Sequence, residues 1–308
     1  KMSDCVIVEK GDWLFSAMEP VGHKKATFFT GLGTRNEMFD AAKMRWTVSK
    51  KPMFVRMGDK RITVPDKYAV VRSDSSDVLG VVGRVYVPLQ PEECWEFADA
   101  LVEASAEDAV RETAGSLWGG RKIFLSIRLV NTQVVVKDKD LINMYLMLTN
   151  TFDGTLPLSV YVTPHRPVCN NTVQMAVAGA RRSWSVRHTS TMKNKVVEAK
   201  RSLGLVEKYV AAFTLTANNL CAVDISSASF KQILEDVDFP IRSIEDVLGL
   251  FNNAANLEDV RGSKWSAYNA VTEWWDHGRN PRTDDSLVNG VIFDQALKDK
   301  VLVALSAN

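Results

Sequence analysis

Three strand-like runs separated by two hairpin turns constrain this chain more than any other feature. They occupy residues 122–130, 141–150 and 156–163. Asp138-Lys-Asp140 supplies the first turn and Phe152-Asp-Gly-Thr155 the second, Asp-Gly being a strong hairpin signal. Strands this close in sequence pair as an antiparallel meander. Pro164 and Pro167 are expected to end it, and a helix is expected to begin at Asn170-Asn-Thr172. A longer helical pattern covers residues 191–220, with Val196, Val197, Leu205, Val206, Tyr209 and Phe213 as its apolar positions.

The flanking sequence completes an α+β reading. Thr34-Arg-Asn-Glu37 is a capping box, and Pro91 followed by Glu92 and Glu93 starts a helix with Cys94, Trp95, Ala98, Leu101 and Val102 on one face. Residues 61–64 and 68–72 are expected as two short strands parted by Pro65-Asp66, and residues 78–86 as a further strand. Ser229-Phe-Lys-Gln232 and Ser243 mark helix starts beyond residue 221. The expected fold is therefore α+β: an antiparallel β-meander with helices packed on one face and a helical C-terminal region. The expected division is a core at 1–220, carrying a β-β-β-α unit at 121–210, and a helical region at 221–308 packed on it.

Charge adds the first functional indication. The 308 residues carry 38 Lys+Arg and 37 Asp+Glu, a net of +1, which by itself argues against a polyanionic partner. Residues 1–120 hold 16 basic and 18 acidic residues, a net of −2. Residues 121–210 hold 14 and 5, a net of +9, and residues 211–308 hold 8 and 14, a net of −6. Neutrality conceals a basic centre between acidic flanks, a pattern that points to a polyanion. The candidate phosphate contacts are Arg121, Lys122, Arg128, Arg166, Arg181, Arg182, Arg187, Lys193 and Lys195. Trp118, Trp184 and Tyr145 or Tyr161 are candidates for base stacking, with core packing as the alternative role.

No catalytic motif is present. Cys5, Cys94, Cys169 and Cys221 lie far apart with no Cys-x-x-Cys pair. A Cys169 nucleophile served by His165 or His188 competes with a plain buried thiol at a strand-to-helix junction, and the buried thiol is the expectation. His165, His188 and Asp153 lack metal-ligand spacing. The glycine-rich Thr113-Ala-Gly-Ser-Leu-Trp-Gly-Gly-Arg121 lacks the Gly-Lys-Ser/Thr ending of a phosphate-cradling loop and reads as a tight turn. Trp265, Tyr268, Trp274 and Trp275 share helical spacing expected of core packing. No apolar run approaches the roughly 20 residues that span a bilayer, and no signal segment is evident. A cytoplasmic protein without enzymatic activity, cofactor or metal is expected.

Several blocks resemble one family in order. They are Gly31-Leu-Gly-Thr34, Val70-Val-Arg-Ser-Asp74, Tyr86-Val-Pro-Leu-Gln90, Thr113 to Arg121, Asp153-Gly154, Pro167-Val-Cys-Asn-Asn-Thr172, Arg187-His-Thr189, Arg261-Gly-Ser-Lys-Trp265 and Asn269-Ala-Val-Thr-Glu273. Over roughly residues 31–280 the chain is similar to the phage/plasmid-like protein family called domain of unknown function family 932. Asn171 and Ser263 depart from the family's usual residues. The resemblance implies a mobile-element or bacteriophage origin. With the basic centre, the expectation is sequence-independent binding or annealing of single-stranded DNA by a homo-oligomer. A phage-encoded protein that docks on a host protein, or a structural phage component, is the alternative.

Overall fold

The structure, a computed structural model, describes residues 6–7, 13–16, 27–28, 35–104, 109–138, 140–166, 171–172, 183–186, 204, 206–279, 283, 286, 289–290 and 295–307. Its strands are β1 (Val6–Ile7), β2 (Trp13–Ser16), β3 (Thr27–Phe28), β4 (Val48–Met57), β5 (Lys60–Arg72), β6 (Val78–Gly83), β7 (Ala109–Leu117), β8 (Lys122–Val136), β9 (Asp140–Thr151), β10 (Leu158–Arg166), β11 (Asn171–Thr172) and β12 (Ser183–Val186). The helices are α1 (Arg35–Ala41), α2 (Pro91–Ala104), α3 (Val206–Cys221), α4 (Ser227–Asp236), α5 (Ile241–Asn253), α6 (Lys264–Glu273) and α7 (Ala296–Ala307). The fold is α+β.

The expected meander is the centre of the larger sheet, which runs β1-β2-β7-β8-β9-β10-β11, with β12 also on β10 and β3 parallel to β2. Period-two alternation divides its residues between two faces. Ile123, Leu125, Ile127 and Leu129 of β8 join Met144, Leu146 and Leu148 of β9 and Leu158, Val160 and Val162 of β10 in the apolar core. The helices pack on this side: α2 against β7, β8 and β9, and α3 against β8. Trp95 and Phe97 of α2 are buried, and Phe97 stacks on Trp184 of β12 with ring centroids 5.6 Å apart. The opposite face carries buried polar residues, Thr113, Ser126, Tyr145, Thr149 and Thr163, beside buried Phe124 and Met147.

The smaller sheet, β4-β5-β6, rests on one end of the larger one. The Gln90 side chain pairs with both backbone groups of Val48, accepting at 2.8 Å and donating at 3.1 Å, so it substitutes for a neighbouring strand. Tyr86 Oη donates to the Thr151 carbonyl at 3.1 Å. Gly80 lies so close to the β9–β10 turn that a Cβ there would sit 2.3 Å from Asp153 Cα.

Several expectations are corrected by long-range pairing. Residues 61–72 form one strand with Pro65 inside it, because an irregularity opposite Met53 leaves the proline without a ladder partner to satisfy. Pro164 does not end the meander, since it pairs with Met144 and β10 continues to Arg166. Asn171-Thr172 is a strand against His165-Arg166 rather than a helix start. Helix α4 begins at Ser227, capped by Ser226 accepting from Ser229, and α5 begins directly after Pro240. Among the described residues no helix is long and apolar enough to cross a membrane.

Candidate nucleic-acid interface

The β7–β8 turn is built from three successive residues with left-handed backbone: Trp118 (φ 51°), Gly119 (φ 67°) and Gly120 (φ 96°). The glycines take this conformation at no steric cost, and a Cβ at Gly120 would also meet the Trp46 ring at 2.8 Å. A tryptophan there is strained, which is the kind of local departure that functional sites retain. The turn holds the indole half-buried at the end of the sheet and exposes Arg121 beside it. Lys122 Nζ lies 5.2 Å from the Trp118 ring centroid and donates to Asn289 Oδ1 at 3.1 Å. The Arg121 carbonyl accepts from Phe152 N at 2.8 Å, joining this turn to the next one. Arg72 donates to Gly119 O at 2.9 Å and grips Asp74 with two further bonds, holding the Asp74 carboxyl below its ordinary range.

Arg128 lies at a separate place, about 20 Å along β8 from Lys122 at the usual strand rise. Its Nε stands 3.4 Å from Oε2 of Glu112, which is only 3% exposed. Directly across the ladder from Arg128, Tyr145 donates its hydroxyl to Glu112 Oε1 at 3.2 Å. Burial pushes the Glu112 carboxyl up to about 7, against the opposing pull of Arg128 and of the Tyr145 hydrogen bond. The Tyr145 phenol is raised too, by burial and by Glu112. Arg128 is thus partnered by a buried carboxyl rather than free for a phosphate. The hydroxyls of Thr113, Ser126, Thr149 and Thr163, on the same face, have no hydrogen-bond partner among the described residues.

Of the other candidates, Arg166 closes β10 at the sheet end away from Arg121 and Lys122. Arg181, Arg182, Arg187, Lys193 and Lys195 lie outside the described residues, as do Cys169 and His188. The structure therefore brings together Arg121, Lys122 and Trp118, and places Arg128 and Arg166 elsewhere. Trp184 stacks one face on Phe97, and Tyr145 is buried at 5% exposure with its hydroxyl on Glu112. Among the described residues no group of three His, Cys, Asp or Glu side chains converges as a metal site would require.

One cationic element escaped the charge windows. Residues 50–72 hold seven Lys+Arg against two Asp, a net of +5, within a segment whose larger window summed to −2. They form the β4–β5 hairpin, in which every residue from Phe54 to Thr63 is exposed. A shorter window would have found it; nothing in the local pattern would have shown that both faces are free.

A family model described as "Domain of unknown function (DUF932)" matches residues 78–294, more than half of the chain. Neither the curated proteins nor the solved structures include a match.

Proposed function

This chain belongs to that family of unknown function, and from this premise we propose that it binds single-stranded DNA without sequence preference, as an annealing or recombination protein of a phage or plasmid acting in the bacterial cytoplasm. The observation that carries the reading is the half-buried Trp118 indole with Lys122 Nζ 5.2 Å from its ring centroid and the exposed Arg121 on the same turn. Stacking on an aromatic face and neutralising the adjoining phosphates are the two contacts that sequence-tolerant single-strand binding requires. The basic excess of residues 121–210 supports the same reading. Binding of this kind needs no chemistry, and subunits assembling along a strand would set acidic flanks against basic centres.

Anisotropy of a labelled 30-nucleotide oligo-dT at low and moderate salt tests it. Trp118→Ala and Arg121→Ala are each expected to weaken binding, Trp118→Ala with the salt slope unchanged and Arg121→Ala with a shallower one. Binding that is absent at low salt, or indifferent to both changes, overturns the reading. A second reading, docking on a host protein, is favoured by the exposed valines 78, 81, 85 and 87 in and beyond β6. It predicts no affinity for DNA at any salt.

A further inference from the structure

We propose that the β4–β5 hairpin is an arm that lies in the major groove of double-stranded DNA. The inference rests on the DNA-binding reading and adds to it a second element with a different partner, the duplex that annealing produces.

The hairpin turns at Gly58-Asp59, where Gly58 (φ +57°) occupies the position a two-residue turn reserves for glycine. Strand β6 pairs with β5 only from Lys67 onward, so the outer part of the hairpin is a bare two-stranded ribbon. From Lys67 to the tip it extends about 25 Å at ordinary strand rise.

Register assigns its side chains to two faces. Phe54 opposes Thr63 and Arg56 opposes Arg61 on one; Val55 opposes Ile62 and Met57 opposes Lys60 on the other. The Arg61 guanidinium lies 3.5 Å from the Phe54 ring centroid. Two arginines directly across a ladder repel each other, and no carboxylate on their face relieves them. Val55, Met57 and Ile62 are 50%, 64% and 46% exposed. Like charges opposed on one face and bare apolar side chains on the other are both costs in an isolated chain. A polyanion with a partly apolar groove floor relieves both.

The form of the partner follows from dimensions. The B-DNA major groove is about 12 Å wide and admits a two-stranded ribbon, with thymine methyls on its floor. The major groove of A-form RNA is too deep and narrow. Pairing with another protein strand is opposed by the ribbon's own edges, which carry Pro52, Pro65, Lys60 and a register irregularity, all devices that block edge-to-edge addition. The hairpin precedes residues 78–294, which the family model matches.

The test compares the wild-type chain with R56A/R61A on three labelled probes: a 30-base-pair DNA duplex, a 30-base-pair RNA duplex and 30-nucleotide oligo-dT. The expected result is DNA duplex affinity lowered at least about tenfold, with the salt slope reduced by roughly two phosphate contacts' worth. Oligo-dT affinity and thermal melting should not change, and the RNA duplex should bind more weakly than DNA to the wild type. Unchanged DNA duplex affinity in R56A/R61A, or equal wild-type affinity for the two duplexes, overturns the arm while leaving single-strand binding intact. Wild-type protein that binds none of the probes overturns both readings together.

Discussion

The indole N–H of Trp265 donates to Oδ2 of Asp140 at 2.8 Å, with both residues buried, and so ties the start of α6 to the first residue of β9. This bond explains one of the sequence blocks that resembled a family. Arg261 donates to the carbonyls of Asn252 and Ala254, Gly262 takes φ +81°, and Ser263 caps α6 by accepting from Ser266 N. Lys264 then reaches the Leu305 carbonyl at 2.9 Å. Each residue of Arg261-Gly-Ser-Lys-Trp265 holds a helix junction.

Trp265→Phe is expected to destabilise the chain by about 1.5–3 kcal/mol, the usual range for a hydrogen bond to a charged group. Urea denaturation measures it. A double-mutant cycle with Asp140→Asn separates the bond from lost packing, and additivity of the two changes would show that no coupling exists.

Lys298 Nζ and Asp276 Oδ1 form a buried pair at 2.8 Å, their side chains 0% and 1% exposed. Lys298→Met leaves a carboxylate in a dry site and is expected to cost about 3–5 kcal/mol. Adding Asp276→Leu should restore much of that loss in the same denaturation assay.

Glu112 makes stability depend on pH. Its folded carboxyl titrates near 7 against an ordinary value of 4.5, so the folded state holds the proton more tightly than the unfolded chain. The contribution is therefore present in full below about 4.5 and lost as pH rises through about 7, a change on the order of 3 kcal/mol. Glu112→Gln, which imitates the protonated form, should flatten the profile between pH 5 and 8. A variant as pH-sensitive as the wild type would assign the effect to another group.

Gly80→Ala places a methyl against the Asp153 backbone, 2.3 Å from its Cα. Strand β6 must then move off the β9–β10 turn, at a cost of about 1–3 kcal/mol. Hydrogen exchange should accelerate in β4–β6 before it does in β8 and β9.

The elements legible in the sequence are those whose signals are local. Asp153-Gly154 announces its hairpin, alternation marks β8 to β10, and Pro91 followed by Glu92 and Glu93 starts α2. The antiparallel meander and its apolar, helix-covered face follow from these alone. What surrounds Arg121 and Arg128 shows only in the tertiary structure, because a guanidinium's partners depend on what lies across the sheet. Arg128 and Arg121 are alike in the sequence, yet one meets buried Glu112 from the neighbouring strand and the other meets solvent. Trp118 and Trp184 part in the same way, one at a strained turn and the other stacked on Phe97 of a distant helix. The arm shows the limit most clearly. Its charges are countable in the chain, but their isolation arises because β6 pairs with only the inner half of β5, and strand pairing at that range is written in no local pattern.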